Sequence, residues 1–201
     1  MKTEIIKVSG KGLGINEAIA ATVSAGEECG LTKKENLRLR LIAEEIFGMA
    51  SGIIGEIEGF YYVCAKDKSF EIHLNADVDL SKESKKKLLE LSTTGTNSGV
   101  KSFMSKIRDM IGTALLPKED GPSTLSLGLM SMGSPASVRA GSTANIYNWS
   151  LSDYRAAVKN AGEEGTEAWD ELEKSIVANI ADEITVSVLG YKVELTVFKK
   201  F

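Results

Sequence analysis

The sequence predicts an α+β fold of two layers, in which a mixed, mostly antiparallel sheet is covered on one face by helices. Runs with strand-like alternation occur in pairs, as hairpins, and segments with helical spacing stand between these pairs. Such grouping favours a helical layer packed on a largely antiparallel sheet. The composition agrees, because 43% hydrophobic and 26% charged residues are typical of a globular protein. We therefore expect a single domain over residues 1–201.

The first elements are marked by local signals. A short β-rich run at residues 3–8 ends at SGKGLG, a plain turn that matches neither the dinucleotide fingerprint nor the P-loop pattern. Asn16 is the expected N-cap of a helix over 16–29, and Gly30 is expected to close that helix. Thr32 and Glu35 then have the spacing of a capping box, which predicts the start of a second helix.

The second helix carries two adjacent carboxylates, Glu44 and Glu45. With Ile42 at zero and about 100° per residue, an apolar stripe about 100° wide contains Ile46, Met49, Ala50, Ile53 and Ile57. Glu45 lies about 60° from Ile42, at the edge of the stripe, whereas Glu44 points almost opposite. The two carboxylates are therefore not a matched acid-base pair.

The next segments, GFYYVCA and FEIHLNADV, predict a hairpin joined by KDKS. In its second strand one face should carry Phe70, Ile72, Leu74 and Ala76, and the opposite face His73. Helices are expected over 82–91 and over 100–116, the latter with Phe103, Ile107, Met110 and Ile111 as its apolar side.

The C-terminal half begins with an irregular insert, residues 117–150, rich in Gly, Ser, Pro and Met. Helical spacing returns at 150–160 and 166–184, where Trp169 is expected to anchor the core. The chain ends in a second predicted hairpin around Gly190. No internal repeat is found.

Several functional classes are disfavoured by composition. A net charge of −4 argues against a generic nucleic-acid binder. A single histidine, His73, excludes a His-rich metal site, and we expect a surface role for it. Cys29 and Cys64 lack a metal-type or redox-type spacing and are expected to be free thiols. No run is apolar enough for a signal peptide or a membrane span, which predicts a cytoplasmic protein without a membrane partner.

One loop has the composition of a phosphate site. The segment TTGTNSGVKSF leads into a predicted helix whose first turn holds Lys101. Its backbone N–H groups would come from Gly95, Thr96, Asn97 and Gly99. Free N–H groups and an ammonium would suit a phosphate. A glycine-rich connector with a Ser or Asn N-cap explains the same residues, so both interpretations stay open.

Taken in order, LRLIAEEIFGMASGII, FEIHLNADVD, the glycine-bearing loop and the terminal hairpin resemble the GHKL (Bergerat-fold) ATPase superfamily. The nearest branch is the anti-sigma-factor serine kinases, and the chain also looks like bacterial proteins labelled ATP-binding. The resemblance covers most of residues 1–116 and returns at 165–201. It implies a Bergerat-like arrangement of the predicted sheet and helices.

The resemblance also implies roles for individual residues. Glu45 is the counterpart of the general base, as a relic or altered base, and Asp77 (or Asp79) of the aspartate that contacts adenine. The phosphates would lie on Gly95–Lys101. The family's Mg²⁺-binding Asn, four residues after the base, is replaced here by Met49, and pairing from Glu44 gives Gly48. Neither is a hard oxygen ligand, so no metal ligand is assigned and the resemblance does not extend to the family's Mg²⁺ site.

Two functional hypotheses follow, and a true ATPase or serine kinase ranks third because the Mg²⁺ ligand is missing. The first is a nucleotide-binding regulatory protein, taking ATP or ADP, with weak or absent kinase activity. The second is a protein-interaction module that keeps the same scaffold but has lost nucleotide binding. It would bind its partner through residues 117–148 or 151–180. Both expect another protein as partner and leave a homodimer open.

Overall fold

The computed structural model describes residues 1–54, 58–77, 106–107, 110–111 and 146–201. The described strands form one six-stranded sheet in the order β1-β2-β3-β6-β5-β4, and every described pairing is antiparallel. The strands are β1 (Ile6–Ser9), β2 (Glu58–Lys66), β3 (Ser69–Asp77), β4 (Ile146–Ser150), β5 (Glu183–Leu189) and β6 (Lys192–Lys200). The helices whose bounds are described are α1 (Ile15–Glu28), α2 (Lys33–Ile54), α3 (Leu151–Asn160), α4 (Thr166–Lys174) and α5 (Ile176–Ile180). The predicted α+β class is confirmed.

The sheet has an inner face in the core and an outer face that is partly exposed. Inner residues alternate along each strand and are buried, among them Tyr61, Val63, Phe70, Ile72, Leu74, Ala76, Val186, Val193, Leu195 and Val197. On this side α2 packs against α1, α5 and β6. Its apolar stripe is buried at Ile42, Ile46, Met49 and Ala50, as the helical angles predict. The predicted inner face of β3 is confirmed.

The two ends of α1 follow different rules. The expected N-cap, Asn16, is wrong, because the helix begins at Ile15 and Gly14 occupies the cap position with φ 72°. A Cβ on Gly14 would come within 2.1 Å of the Lys7 carbonyl oxygen, so only glycine fits there. At the other end Gly30 has φ 70°, and Leu31 N–H donates to the Gly26 carbonyl at 3.0 Å. This C-terminal cap is as predicted.

The capping box at the start of α2 is also as predicted. Thr32 N–H donates to Glu35 Oε2 at 2.7 Å, and Glu35 N–H donates to Thr32 Oγ1 at 3.3 Å. Lys68 Nζ lies 3.4 Å from the same carboxylate. The hydrogen bonds from the Thr32 backbone and side chain, with the Lys68 charge, lower the pKa of Glu35.

Predictions for the C-terminal half need correction at two points. The irregular insert was predicted to reach residue 150, but Ile146–Ser150 form β4, which pairs with β5 and stands last in the order of the described strands. The predicted helix over 166–184 is broken at Ser175, whose side chain caps α5, and β5 begins at Glu183. The expected helix over 82–91 and residues 117–145 lie outside the described residues, whereas Ile107, Met110 and Ile111 are helical and buried.

The described elements repeat an order that the sequence does not reveal. Both β1-α1-α2-β2-β3 and β4-α3-α4-α5-β5-β6 consist of a strand, helices and a hairpin. The two hairpins have the same register. Adding 123, the sequence separation of His73 and Thr196, to the residue numbers of the β2–β3 pair Cys64↔Glu71 gives the β5–β6 pair Ser187↔Glu194. The two halves meet along β3 and β6 with His73↔Thr196 at the middle of the ladder. The amino-acid sequence does not show this repeat, because strands require alternation of apolar and polar residues but tolerate many residue types.

Candidate functional site

The predicted base, Glu45, is half-buried on α2 and makes no hydrogen bond or ion pair with any other described residue. Glu44 differs, because its Oε1 accepts a hydrogen bond from Arg40 Nε at 2.8 Å along the helix surface. One turn after Glu45, Met49 is 5% exposed and belongs to the core, while Gly48 is exposed. The two glutamates are therefore not equivalent, and neither following position offers an oxygen ligand.

Asp77 is exposed at the end of β3, opposite Lys192 of β6. This is the end of the sheet where β2 begins, because Gly59 pairs with Ala76. Helix α2 ends at Ile54, shortly before β2, so Glu45 lies roughly 13 Å back along the helix axis from its C-terminal end. Asp77 is therefore at a strand end, whereas Glu45 is in the middle part of α2.

The predicted phosphate loop lies outside the described residues. This applies to Gly95, Thr96, Asn97, Gly99 and Lys101, and also to Asp79. Within the described ranges no three His, Cys, Asp or Glu side chains are placed to hold a metal ion. No helix in the same ranges is both long and apolar enough to cross a membrane.

The structure assembles a polar cluster on the outer sheet face that the sequence did not single out. His73 Nε2 lies 3.5 Å from Glu71 Oε2, and His73 Nδ1 lies 3.4 Å from Glu194 Oε1 and 3.2 Å from Thr196 Oγ1. The Tyr62 ring stacks on the imidazole with centroids 4.6 Å apart. Glu71 lies on the same strand and face as His73, but Tyr62, Glu194 and Thr196 come from β2 and β6, whose register the sequence does not give.

The geometry of this cluster suits a structural network of side-chain contacts better than an acyl-transfer site. A hydroxyl, an imidazole and a carboxylate in line are the parts of a nucleophilic site. An acyl-transfer site also needs free donors for the oxyanion, and the backbone N–H groups of β3 and β6 are used on both sides by the sheet. Burial, followed by the Glu194 charge, raises the pKa of Tyr62.

Trp169 on α4 is exposed, so its predicted role as a core anchor is wrong. Ala168 and Leu172, one turn apart, are 1% and 5% exposed and form the inward side of α4. Trp169 is rotated by about 100° from Ala168 and is 40% exposed. Its Nε1–H donates to Glu173 Oε1 at 2.9 Å, which holds the ring along the helix.

Trp169 lies within an acidic stretch of the sequence. Residues 163–173 contain six carboxylates and no basic residue: Glu163, Glu164, Glu167, Asp170, Glu171 and Glu173. The side chains of Asp170, Glu171 and Glu173 are exposed. Trp169, Asp170 and Glu173 lie within about 100° of one another around the helix and are called the α4 face. The α4 face therefore presents a large apolar ring next to the carboxylates of Asp170 and Glu173.

Comparison with protein-family models, with curated proteins and with solved structures finds no match to this chain. The resemblance to GHKL ATPases therefore stays a prediction.

Proposed function

We propose that this protein is an interaction module that binds a basic segment of a partner protein through the α4 face. The observation that carries the proposal is the exposed Trp169 ring, 40% accessible, beside the carboxylates of Asp170 and Glu173. Tryptophan is among the residues most enriched at the energetic centres of protein interfaces. Covering this ring would remove apolar surface from water, which supplies affinity.

The charge of the α4 face defines the kind of partner. The carboxylates of Asp170 and Glu173, which belong to an acidic stretch of six carboxylates over residues 163–173, favour lysine or arginine on the opposing surface. A guanidinium or ammonium over the indole would add a cation–π contact. The hydrogen bond from Trp169 Nε1 to Glu173 Oε1 fixes the ring before binding, so little side-chain freedom is lost on association.

The test compares three immobilised proteins in extracts of the source cells: wild type, Trp169→Ala and Leu37→Ala. Leu37 is the matched control because it is an exposed apolar residue, 56% accessible, on another helix. We expect a specific protein retained by wild type and by Leu37→Ala, lost from Trp169→Ala, and released as salt rises. Equal retention by all three proteins would contradict the proposal.

We propose nucleotide binding as a second function, because half-buried Glu45 has no partner among the described residues. Thermal unfolding would be followed with ATP and ADP, each with and without Mg²⁺. A nucleotide at one hundred times its Kd should add about 2.7 kcal/mol to the unfolding free energy. We expect a shift that ignores Mg²⁺ and disappears in Asp77→Ala, whereas no shift at millimolar nucleotide would remove this proposal.

A further inference from the structure

We infer that a cavity at the turn end of the β2–β3 hairpin binds a small organic anion. This anion is a phosphate monoester or a carboxylate, and in either case it carries an apolar group. This cavity is an open pocket on the sheet surface with a volume of about 600 Å³, lined by Lys66, Ser69, Phe198 and Lys200 among others. Small-molecule sites have volumes of roughly 300–1,000 Å³. None of the residues of the α4 face takes part, so this site is independent of the proposed partner surface.

The anion-binding end consists of a hydroxyl between two ammonium groups. Lys66 pairs with Ser69, and Ser69 pairs with Lys200, so the three residues form one row across β2, β3 and β6. Adjacent strands are about 4.8 Å apart, which brings the three side chains within reach of one ligand. Such donors form strong, charge-assisted hydrogen bonds to carboxylate or phosphate oxygens.

The two lysines of this row are available, unlike their neighbours. Lys68 Nζ lies 3.4 Å from Glu35, and Lys199 Nζ lies 2.8 Å from Asp182. Within the described ranges, by contrast, the ammonium groups of Lys66 and Lys200 make no ion pair or hydrogen bond. The charge at the cavity is therefore free to meet a ligand.

Two carboxylates, Asp67 and Glu71, also line the cavity. Glu71 Oε2 is 3.5 Å from His73 Nε2 and is directed toward that ring. Asp67, at φ 48° in the hairpin turn, has no partner in the described part of the chain. It is the charge that opposes an anion, so its removal should strengthen binding while loss of the lysines weakens it.

The other end of the cavity is less polar. Phe198 is half-buried and lies in one cross-strand row with Glu71 and Cys64. Its ring offers a wall against which an apolar or aromatic group would pack. Cys64 is a free, half-buried thiol in the same lining and can report whether the cavity is occupied.

Binding would be measured by calorimetric titration of phenyl phosphate, benzoate and inorganic phosphate. We expect phenyl phosphate or benzoate to bind wild type at millimolar concentration or better, and at least tenfold more weakly to Lys66→Gln/Lys200→Gln. Lys192→Gln is the matched control, because it removes an exposed lysine from the opposite end of β6 and should change nothing. Asp67→Asn should bind severalfold more tightly, and asparagine suits the positive φ of that turn.

The ligand would be located through Cys64 in the Cys29→Ser protein. Bound phenyl phosphate should slow the reaction of Cys64 with N-ethylmaleimide, and this protection should vanish in the double lysine variant. Absence of binding by both aryl anions, or an equal loss in Lys192→Gln, would overturn the proposal. So would binding without protection of Cys64. Tighter binding of inorganic phosphate than of phenyl phosphate would overturn the proposed packing of an apolar group against Phe198.

Discussion

At the scale of single residues, a buried hydroxyl pair joins α1 to the sheet. Thr22 Oγ1 lies 2.6 Å from Tyr61 Oη and also donates to the Ala18 carbonyl at 2.8 Å. Both side chains are 0% exposed, and burial raises the pKa of Tyr61. The two hydroxyls are unequal, because only that of Thr22 has a second partner.

This inequality predicts different costs for Thr22→Val and Tyr61→Phe. Thr22→Val leaves the buried Tyr61 hydroxyl unpaired and should cost about 1–3 kcal/mol of unfolding free energy. Tyr61→Phe leaves Thr22 bonded to Ala18 and should cost about 0.5–1.5 kcal/mol. Urea unfolding of both single variants and the double variant measures the coupling. A smaller cost for Thr22→Val than for Tyr61→Phe would contradict this prediction.

Two helical glycines should respond to alanine with opposite signs. A Cβ on Gly26 would lie 2.3 Å from Asn36 Oδ1, whose amide is held by a 3.0 Å hydrogen bond to the Val23 carbonyl. We expect Gly26→Ala to destabilise the protein by about 1–3 kcal/mol. Gly48 has open space around it in α2, so Gly48→Ala should stabilise by about 0.5–1 kcal/mol. Denaturant midpoints compare them, and a shift of equal sign would refute the contrast.

At the scale of elements, the capping box makes the start of α2 sensitive to pH. Because the pKa of Glu35 is lowered in the folded state, its contribution is present above the unfolded pKa of about 4.3 and is lost as pH falls below it. Stability of the wild type should therefore decline more steeply in that acidic range than stability of Glu35→Gln. Thermal melts across pH 3–6 test this, at roughly half-unit steps. In a Thr32→Ala background the difference should shrink, since Thr32 is the main cause.

Elements were predictable where their signals are local. The Thr32–Glu35 box and Gly30 depend on residues within one turn, so the sequence is sufficient. The prediction of Asn16 as the N-cap of α1 was wrong because the position of Gly14, which occupies the cap, is decided by contact with Lys7 of β1. The orientation of α4 against the core, which decides the exposure of Trp169, is likewise a tertiary property. The residues of the candidate site were visible in the sequence, but their surroundings were not.

At the scale of the whole molecule, the α+β class follows from alternation and grouping alone. The partners of each strand do not, because β3 and β6 pair residues as distant as His73 and Thr196. For the same reason the outer cluster around His73 and the row of Lys66, Ser69 and Lys200 could not be predicted. Long-range register is decided by packing of the two halves.

The sheet order predicts a gradient of stability. β3 and β6 are paired on both sides at the middle of the sheet, whereas the four-residue β1 stands at one end of the order. Backbone amides of β3 and β6 should therefore exchange with deuterium most slowly, because only global unfolding opens them. Native-state hydrogen exchange resolved by residue provides the measurement. Protection in β1 equal to that in β3 would show that the sheet opens as a single unit.

The seam between β3 and β6 has a consequence for how the protein can be divided. A chain cut between residues 112 and 145 would keep every described strand pairing within one fragment or the other, except for the β3–β6 ladder. Each fragment would present that ladder edge and the apolar helices above it. The two pieces, expressed separately, should recombine on mixing into one folded unit, which makes the domain suited to fragment complementation.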